Sequence, residues 1–289
     1  MATVNDWLEG ARVRTLPAAV SPVLIGTGVA AAEGGFSLPR AALAGAVALL
    51  LQIGVNFAND YSDGIRGTDE YRTGPPRLTG GEKVSPRVVK TAAFTFFGLA
   101  CLAGLVLVAL SGQYWLIAVG AAAVLAAWFY TGGKHPYGYM GLGEVFVMVF
   151  FGYVATIGTT YTQTGTAPWQ VWVAATGTGL IACALLMVNN LRDIPTDSVS
   201  GKRTMAVRLG DRGARIAYVA MLIGALVCAA AVVRLAFLPV VVGLLAIAIA
   251  LLSAHVLKGA KGRELIVSLR WTGVLQLCYG LLLLVAFAA

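Results

Sequence analysis

Long apolar segments recur along almost the entire chain, and each is long enough to cross a lipid bilayer as a helix. A spanning helix needs about 20 predominantly apolar residues, because the hydrocarbon core of a bilayer is about 30 Å thick. The predicted spans are residues 16–33, 39–58, 89–110, 113–131, 142–160, 170–190, 213–233, 236–257 and 271–288. The predicted fold is therefore all-α, a polytopic membrane protein with nine transmembrane helices.

The composition supports a single membrane-embedded domain over residues 1–289. Hydrophobic residues make up 58% of the chain and charged residues 12%, whereas soluble domains carry about 25% charged residues. This hydrophobicity excludes intrinsic disorder, which is associated with few apolar residues. The long unbroken apolar runs also argue against a transmembrane β-barrel, whose strands alternate over about ten residues.

The positive charge of the chain collects on one side of the predicted bundle. The net charge is +8, which in a soluble protein suggests nucleic-acid binding but in a membrane protein marks the cytoplasmic loops. If the N-terminus is cytoplasmic, every Lys and Arg except Arg40 and Arg234 falls on the cytoplasmic side. We therefore expect a plasma-membrane protein surrounded by lipid, with a cytoplasmic N-terminus, an external C-terminus and no nucleic-acid partner.

Two clusters of asparagine and aspartate lie at the ends of the second and sixth predicted spans. The first cluster comprises Asn56, Asn59, Asp60 and Asp63 and continues to Asp69. The second comprises Asn189, Asn190, Asp193 and Asp197. A carboxylate costs about 2.5–3.5 kcal/mol at the centre of a membrane span and less toward its end. Two such clusters predict that the acids face each other across a central cavity open to the cytoplasmic side. Carboxylate and amide oxygens without His or Cys favour Mg²⁺, which substrate phosphates then help to bind.

The spacing within the clusters predicts their local structure. Asn56, Asn59 and Asp63 are separated by three or four residues, so a continuing helix would place them on one face. Asp193 and Asp197 have the same helical spacing, but Pro195 lies between them. Since proline is tolerated only near a helix start or at a kink, we expect the helix to break there.

Basic residues beside the acids are candidates for binding phosphate, because Arg and Lys form charge-assisted hydrogen bonds to phosphate oxygens. They are Arg66, Arg72, Arg77, Lys134, Arg192, Lys202 and Arg203. Acids that hold a metal together with bases that hold phosphate are typical of a diphosphate site. The alternative is that these residues are only the ordinary positive charge of cytoplasmic loops.

A turn rich in glycine and tyrosine lies between the fourth and fifth predicted spans. Gly132, Gly133 and Pro136 predict the turn. The ring faces of Tyr130 and Tyr137 attract positive charge and are candidates to face a developing cation. Alternatively, these tyrosines belong to the aromatic belt of the membrane interface.

The two acidic motifs resemble those of a known family of membrane enzymes. Asn59-Asp60-x-x-Asp63 continuing to Asp69, and Asp193-x-x-x-Asp197, are similar to the aspartate-rich motifs of the UbiA superfamily of intramembrane aromatic prenyltransferases. The resemblance covers nearly the whole chain and includes residues 11–17, 130–133, 136–144, 189–197 and 207–210. Within the superfamily, the sequence is most similar to the branch that uses 1,4-dihydroxy-2-naphthoate. Gly67 stands where the simpler family motif has an acid, and Asp69 follows with the spacing usual in that branch.

The resemblance implies a reaction, a cofactor and a set of residues. A polyprenyl group passes from polyprenyl diphosphate to 1,4-dihydroxy-2-naphthoate with loss of carbon dioxide and diphosphate, as in menaquinone biosynthesis. The implied Mg²⁺ ligands are Asn59, Asp60, Asp63, Asp69, Asp193 and Asp197. The candidate catalytic residues are Asp60, Asp63, Asp193, Asp197, Lys134 and Tyr137. The candidate substrate-binding residues are Asn56, Arg66, Arg72, Arg77, Tyr130, Asn190, Arg192 and Lys202, with Arg12 and Arg14 for the naphthoate carboxylate.

Two other interpretations are open from the sequence. In the first, the protein is a prenyltransferase of the same superfamily whose acceptor is 4-hydroxybenzoate, homogentisate or a chlorophyllide-type alcohol. In the other, the protein is a transporter or cation channel. Transport sites lie near the middle of the bilayer, whereas these acids lie at the ends of spans, which favours an enzyme.

Overall fold

The computed structural model of the chain is helical. It describes residues 2–67, 77–233 and 236–289, with the main chain alone for Arg14, and these ranges contain no β-strand. The helices are α1 (Val4–Gly10), α2 (Pro17–Ala32), α3 (Leu38–Ile65), α4 (Pro86–Ser111), α5 (Leu116–Phe129), α6 (Gly143–Val147), α7 (Ala155–Thr164), α8 (Trp169–Val199), α9 (Met205–Val232), α10 (Leu238–Leu257) and α11 (Arg263–Ala288). A π-helical turn, Met148–Val154, joins α6 to α7.

Seven helical segments in the described ranges are long and apolar enough to span a membrane. One of them, Gly143–Thr164, consists of α6, the π-helical turn and α7. The helices α2 and α5 are also apolar but shorter, with 16 and 14 residues. The predicted all-α membrane architecture is therefore confirmed, and every predicted span overlaps one of these segments. The number of membrane crossings stays a prediction.

The outward faces of the bundle carry large apolar side chains. Helix α10 exposes Leu244, Ile247 and Leu251, and α4 exposes Leu102 and Val106. In water, a contiguous apolar surface of this kind marks an interaction site or causes aggregation. Lipid tails are as apolar as leucine, so these faces are suited to the hydrocarbon of a membrane.

Helix α3 continues for about two turns beyond residue 58, where its predicted span ends, and stops at Ile65. The additional turns carry Asn59, Asp60 and Asp63, which are all buried. Other parts of the chain supply hydrogen-bond partners for these side chains, so the helix does not have to stop where the apolar run ends. The first cluster therefore lies on a continuous helix, as its spacing of three or four residues requires if its members are to share one face.

The predicted break at Pro195 is wrong. Helix α8 runs from Trp169 to Val199 with Pro195 inside it. Proline in a helix lacks the N–H donor and its ring crowds the carbonyl four residues earlier, here that of Leu191, but its φ angle is compatible with a helix and α8 continues to Val199. Side chains that follow Pro195 support the last turns: Thr196 Oγ1 donates to the Asp193 carbonyl at 3.0 Å, and Ser198 Oγ to that of Pro195 at 3.1 Å.

Small residues allow the main chains of neighbouring helices to approach closely. A Cβ atom on Gly28 of α2 would lie 2.9 Å from Cα of Leu284 in α11, and one on Gly280 of α11 would lie 2.9 Å from Cα of Ser21 in α2. Such contacts are a main source of helix association in lipid, where burying apolar surface gains little. They lock α2 against α11.

The packing of the helices leaves a space between the two that carry the acidic clusters. Helix α3 packs chiefly against α4, α8 chiefly against α9, and α2 chiefly against α11. Both α3 and α8 contribute to the wall of a cavity of about 1000 Å³. This volume lies at the upper limit of ordinary small-molecule pockets, and it is the natural place to look for a functional site.

We expect Gly28→Ala to destabilise the protein by about 1–3 kcal/mol, because the added methyl group overpacks a contact with the main chain of Leu284. Gly98 of α4 provides the matched control, since a Cβ atom there meets nothing within 4 Å. Gly98→Ala should be neutral or slightly stabilising. The measurement is thermal unfolding in detergent, and equal shifts of Tm for the two variants would contradict the close contact.

Candidate functional site

The cavity is mainly apolar, and a group of polar and charged side chains lies at one end of it. Its apolar wall includes Val47, Leu51, Leu105, Ile117, Val124, Phe150, Phe151 and Leu185. The polar end is formed by Arg12, Asn56, Asn59, Arg77, Tyr130, Asn189 and Arg192. Ala44 and Asn59 both belong to the wall, so at 1.5 Å per residue the cavity extends for about 22 Å along α3. Its shape suits a long molecule with a polar head.

The asparagines of the first cluster are held in place by partners outside α3. Asn56 Nδ2 donates to the Ala11 carbonyl at 2.8 Å, and Asn59 Oδ1 accepts from Thr131 Oγ1 at 2.7 Å. These bonds connect α3 to the segment before α2 and to the turn after α5. Both amides are therefore fixed in the wall of the cavity.

Asp63 is the point at which the ends of α3 and α8 are joined. Its Oδ1 atom lies 3.2 Å from Lys202 Nζ, in the loop after α8, and also accepts a hydrogen bond from the Tyr139 hydroxyl. Lys202 Nζ lies 4.6 Å from the centre of the Tyr139 ring, and the Arg66 guanidinium lies 5.4 Å from it. The two segments that carry the acidic clusters therefore meet at this group of side chains.

The second cluster arranges an arginine in the cavity wall. Arg192 Nε and Nη2 contact the two carboxylate oxygens of Asp193 at 2.7 and 2.6 Å, and Nη2 also donates to Asn189 Oδ1 at 3.0 Å. Arg192 and Asn189 line the cavity, and Asp193 sets the direction of the guanidinium. The main-chain carbonyl of the buried Asp197 accepts a hydrogen bond from the main-chain N–H of Lys202 at 2.9 Å. This bond positions Lys202, whose side chain reaches Asp63.

The two predicted tyrosines present their rings to the cavity. The ring of Tyr137 stacks on Phe146 with centroids 3.9 Å apart, and Tyr130 meets it edge-on at 5.5 Å. The Tyr137 hydroxyl donates to the Ala126 carbonyl at 2.8 Å. Burial raises the pKa of Tyr137 above its usual range, so the hydroxyl stays protonated, and the residue lines the cavity.

Several predicted residues that the structure describes do not line the cavity, and they include Asp63, Asp193, Asp197 and Lys202 as well as the following ones. Lys134 is exposed, Arg66 donates to the carbonyls of Thr131 and Gly133, and Asn190 contacts Glu144 Oε1 at 3.5 Å. Asp69 and Arg72 lie outside the described residues, as does the side chain of Arg14. Asp60 directs both carboxylate oxygens at the main chain of Leu78 and Thr79.

The donor set at the polar end fits a magnesium ion that binds together with a phosphate ligand. Within residues 2–67, 77–233 and 236–289, no three side chains of His, Cys, Asp or Glu are grouped so that they could hold a metal ion. Mg²⁺ is usually bound by one or two carboxylates, with water and substrate phosphate completing its octahedron. Asn59 in the cavity wall offers an oxygen atom of this type, as do Asp63 and Asp193, which do not line the cavity and are paired with Lys202 and Arg192.

Several polar residues of the cavity wall are not among those that the sequence predicts, and Glu9, Gln52 and Arg270 are three of them. Gln52 had a usable signal, because a polar side chain within a membrane span usually has a function. Arg270 directly precedes the predicted span 271–288, so the sequence places it in a loop. Since α11 begins at Arg263, Arg270 lies on the same helical face as Ile266 and turns toward the cavity.

Comparisons with known proteins agree on one family. The model of the UbiA prenyltransferase family matches residues 19–287. The 1,4-dihydroxy-2-naphthoate octaprenyltransferase of Mycobacterium tuberculosis is 52% identical over 282 residues, which cover 97% of this chain and 96% of that enzyme.

Solved structures show the same fold. A UbiA homologue from Aeropyrum pernix superposes with a TM-score of 0.74 at 19% identity, covering 94% of this chain and 98% of that one. A UbiA homologue from Archaeoglobus fulgidus bound to GPP and Mg²⁺ superposes with a TM-score of 0.66 at 15% identity, covering 97% of this chain and 99% of that one.

We expect Lys202→Met to destabilise the protein by about 1–3 kcal/mol, because it removes a nearly buried, positively charged partner of Asp63. Lys83→Met is the matched control. This variant also removes a loop lysine that pairs with an aspartate, Asp6, but the Lys83 side chain is 32% exposed. The free energy of unfolding should therefore fall by less than about 1 kcal/mol. Urea unfolding in detergent measures both, and equal losses would contradict a structural role for the Asp63 contact.

Proposed function

Because the chain belongs to the UbiA prenyltransferase family, we propose that it transfers a polyprenyl group from polyprenyl diphosphate to 1,4-dihydroxy-2-naphthoate. Carbon dioxide and diphosphate are released, and demethylmenaquinol is formed for menaquinone biosynthesis. The observation that carries the proposal is the long apolar cavity with Asn59, Arg77 and Arg192 at one end. Naphthoate as the acceptor is supported by the enzyme of Mycobacterium tuberculosis that shares 52% of its residues with this chain.

The apolar length of the cavity accommodates the polyprenyl tail. Side chains such as Leu105, Ile117 and Phe151 line it, and burying the tail among them removes its hydrocarbon from water. The same walls exclude water from the reacting carbon, which protects an allylic cation from hydrolysis. The tail therefore lies along α3, with its diphosphate toward Asn59.

The polar end binds the diphosphate. Arg77 and Arg192 provide charge-assisted hydrogen bonds to its oxygens, and the Asp193 carboxylate holds Arg192 in the orientation that this requires. Lys202, which lies beside Asp63, adds positive charge close to the same end. These groups stabilise the negative charge that develops on the leaving diphosphate.

A Mg²⁺ cofactor completes this site, and its ligands come from the acidic clusters. We assign Asn59, Asp63, Asp193 and Asp197 to it, together with Asp69, which lies outside the described residues. When bound, the ion supplies positive charge that neutralises the diphosphate as its bond to the prenyl group breaks. The protein's own contribution is to hold these oxygens at one end of a cavity that is otherwise apolar.

The aromatic residues and Arg12 act on the other reactant. Tyr130 and Tyr137 line the cavity, and their aromatic rings attract the positive charge of the allylic carbon. Arg12, at the same end, binds the naphthoate carboxylate with Arg14. The electron-rich ring then attacks the allylic carbon through its carboxylated carbon. Loss of carbon dioxide from the bound carboxylate, whose bonding electrons return to the ring, then restores the aromatic ring.

The protein is a multi-pass membrane protein, and its location and orientation belong to the proposal. We assign it to the plasma membrane as a single UbiA-type domain over residues 1–289. Its nine helices surround a central cavity that opens to the cytoplasm, where the N-terminus lies, and the C-terminus is external. The positive-inside rule supports this orientation, because the loops that carry Arg77 and Lys202 are strongly basic.

Purified protein should transfer a prenyl group to 1,4-dihydroxy-2-naphthoate and should use 4-hydroxybenzoate and homogentisate at least about 100-fold less efficiently in kcat/KM. Buried polar groups arranged for one acceptor stay unpaired when another binds, which is the physical reason for the discrimination. Product identification by mass spectrometry with each acceptor checks the prediction. A preference for 4-hydroxybenzoate would keep the enzyme class and replace the acceptor.

We expect Asp63→Asn and Asp193→Asn each to lower kcat/KM by at least about 100-fold, because each removes charge from the site that binds the metal and the diphosphate. Asp211→Asn is the control, since Asp211 lies at the start of α9 with its side chain 57% exposed. It should retain wild-type turnover. Activity should also disappear on chelation and return with Mg²⁺. Full turnover by either site variant would remove that residue from the mechanism.

A further inference from the structure

Asp60 differs from its neighbours in the first acidic cluster. Its side chain is completely buried, and its Oδ2 and Oδ1 atoms accept hydrogen bonds from the N–H groups of Leu78 at 2.9 Å and Thr79 at 2.8 Å. In the described part of the chain, the cavity wall includes Asn56 and Asn59 but not Asp60. The carboxylate therefore faces the segment that precedes α4, and both its oxygens are used there.

The segment that Asp60 holds, residues 77–84, is called the anchor segment here. It folds back on itself: the N–H groups of Lys83 and Val84 donate to the Leu78 carbonyl at 3.0 and 3.1 Å, and Gly81 N–H donates to the Arg77 carbonyl at 3.1 Å. These bonds make the segment a compact turn. Fixing two of its N–H groups therefore fixes the whole turn.

Apolar packing holds the anchor segment against α1 and α3. The side chain of Leu78 is 1% exposed and packs in a cluster with Phe57 and Val89. A Cβ atom on Gly10 of α1 would lie 2.7 Å from Leu78 Cδ1, and one on Gly64 of α3 would lie 2.5 Å from Thr79 Cγ2. The segment has little room to shift while these contacts persist.

Arg77 is the residue through which this arrangement reaches the cavity. It is the first residue of the anchor segment, is 9% exposed, and lines the polar end together with Asn59. It directly precedes Leu78, so its main chain moves with the two N–H groups that Asp60 holds. Loosening the turn would displace the arginine from the site.

We propose that Asp60 is a positioning residue, which fixes the anchor segment so that Arg77 projects into the polar end of the cavity. The ligand of Arg77 in this proposal is the diphosphate of the proposed function, whereas the hydrogen bonds that carry the inference are independent of it. The metal role predicted for Asp60 from the sequence is then left to Asn59, Asp63 and the second cluster.

The two acceptor oxygens of the Asp60 carboxylate explain why this position requires an aspartate even though the carboxylate binds no metal in this proposal. Two adjacent N–H donors, those of Leu78 and Thr79, require two acceptor atoms. A carboxylate supplies two, whereas an asparagine of the same shape supplies one acceptor and turns an NH₂ donor toward the other N–H. Asp60→Asn therefore disrupts the anchor while keeping the volume of the side chain.

The first test compares Asp60→Asn, Arg77→Met and the double variant in prenyl transfer. We expect both single variants to raise the KM for polyprenyl diphosphate by about 10–100-fold, and the double variant to be no worse than the more impaired single variant, because both act through one contact. The Mg²⁺ concentration at half-maximal activity should stay within about twofold of wild type in Asp60→Asn, whereas Asp63→Asn should raise it.

The second test does not use activity. Limited trypsin digestion followed by mass spectrometry measures cleavage after Lys83, which is inside the anchor segment. Cleavage should be at least about tenfold faster in Asp60→Asn than in wild type or Arg77→Met, because local opening controls proteolysis. If Asp60→Asn does not fold, Thr79→Pro removes one of the two N–H donors and should show the same faster cleavage and raised KM.

Three results would overturn the proposal: additive effects of Asp60→Asn and Arg77→Met, a raised Mg²⁺ requirement in Asp60→Asn that equals that of Asp63→Asn, or unchanged cleavage after Lys83. Failure of the proposed function has a different outcome. In that case wild-type protein transfers no prenyl group to any acceptor, and the rate of trypsin cleavage still decides whether Asp60 holds the anchor segment.

Discussion

The cost of a charge in apolar surroundings governs where the functional groups of this protein lie. A charged side chain near the centre of a membrane costs several kcal/mol unless a partner or water compensates it. Asp63, near the end of α3, pairs with Lys202 in the loop after α8. Asp193, near the end of α8, pairs with the adjacent Arg192. The remaining length of the cavity is left mainly to apolar side chains, which suits a substrate with a charged head and a hydrocarbon tail.

An apolar cavity of about 1000 Å³ must also resist collapse. In lipid, little is gained by filling it, because lipid tails are as apolar as the walls. The main-chain contacts at Gly28 and Gly280 fix α2 against α11. Helix α3 packs against α4, and α8 packs against α9. Since each of these helices is held by its own neighbour, the space between α3 and α8 persists, and the polar groups at its end keep their separation.

The sequence predicted the elements well and individual side-chain partners poorly. Apolar runs located the membrane segments, and helical spacing placed Asn56 and Asn59 together in the cavity wall. The break expected at Pro195 is wrong, because a proline in the final turns of α8 can keep helical geometry. Asp60 and Asp63 are equivalent in the motif, yet one bonds the main chain of residues 78 and 79 and the other bonds Lys202.

The sequence by itself determined that the chain is a helical membrane protein, which segments are apolar, and that two acidic clusters follow two of them. These properties depend on residues close together in the chain, since span length and helical spacing are local. Only the tertiary structure decided the direction of each polar side chain. The partners of Asp60 are 18 and 19 residues away, and Tyr139 and Lys202 are 76 and 139 residues away from Asp63. No local pattern specifies a hydrogen bond over such distances.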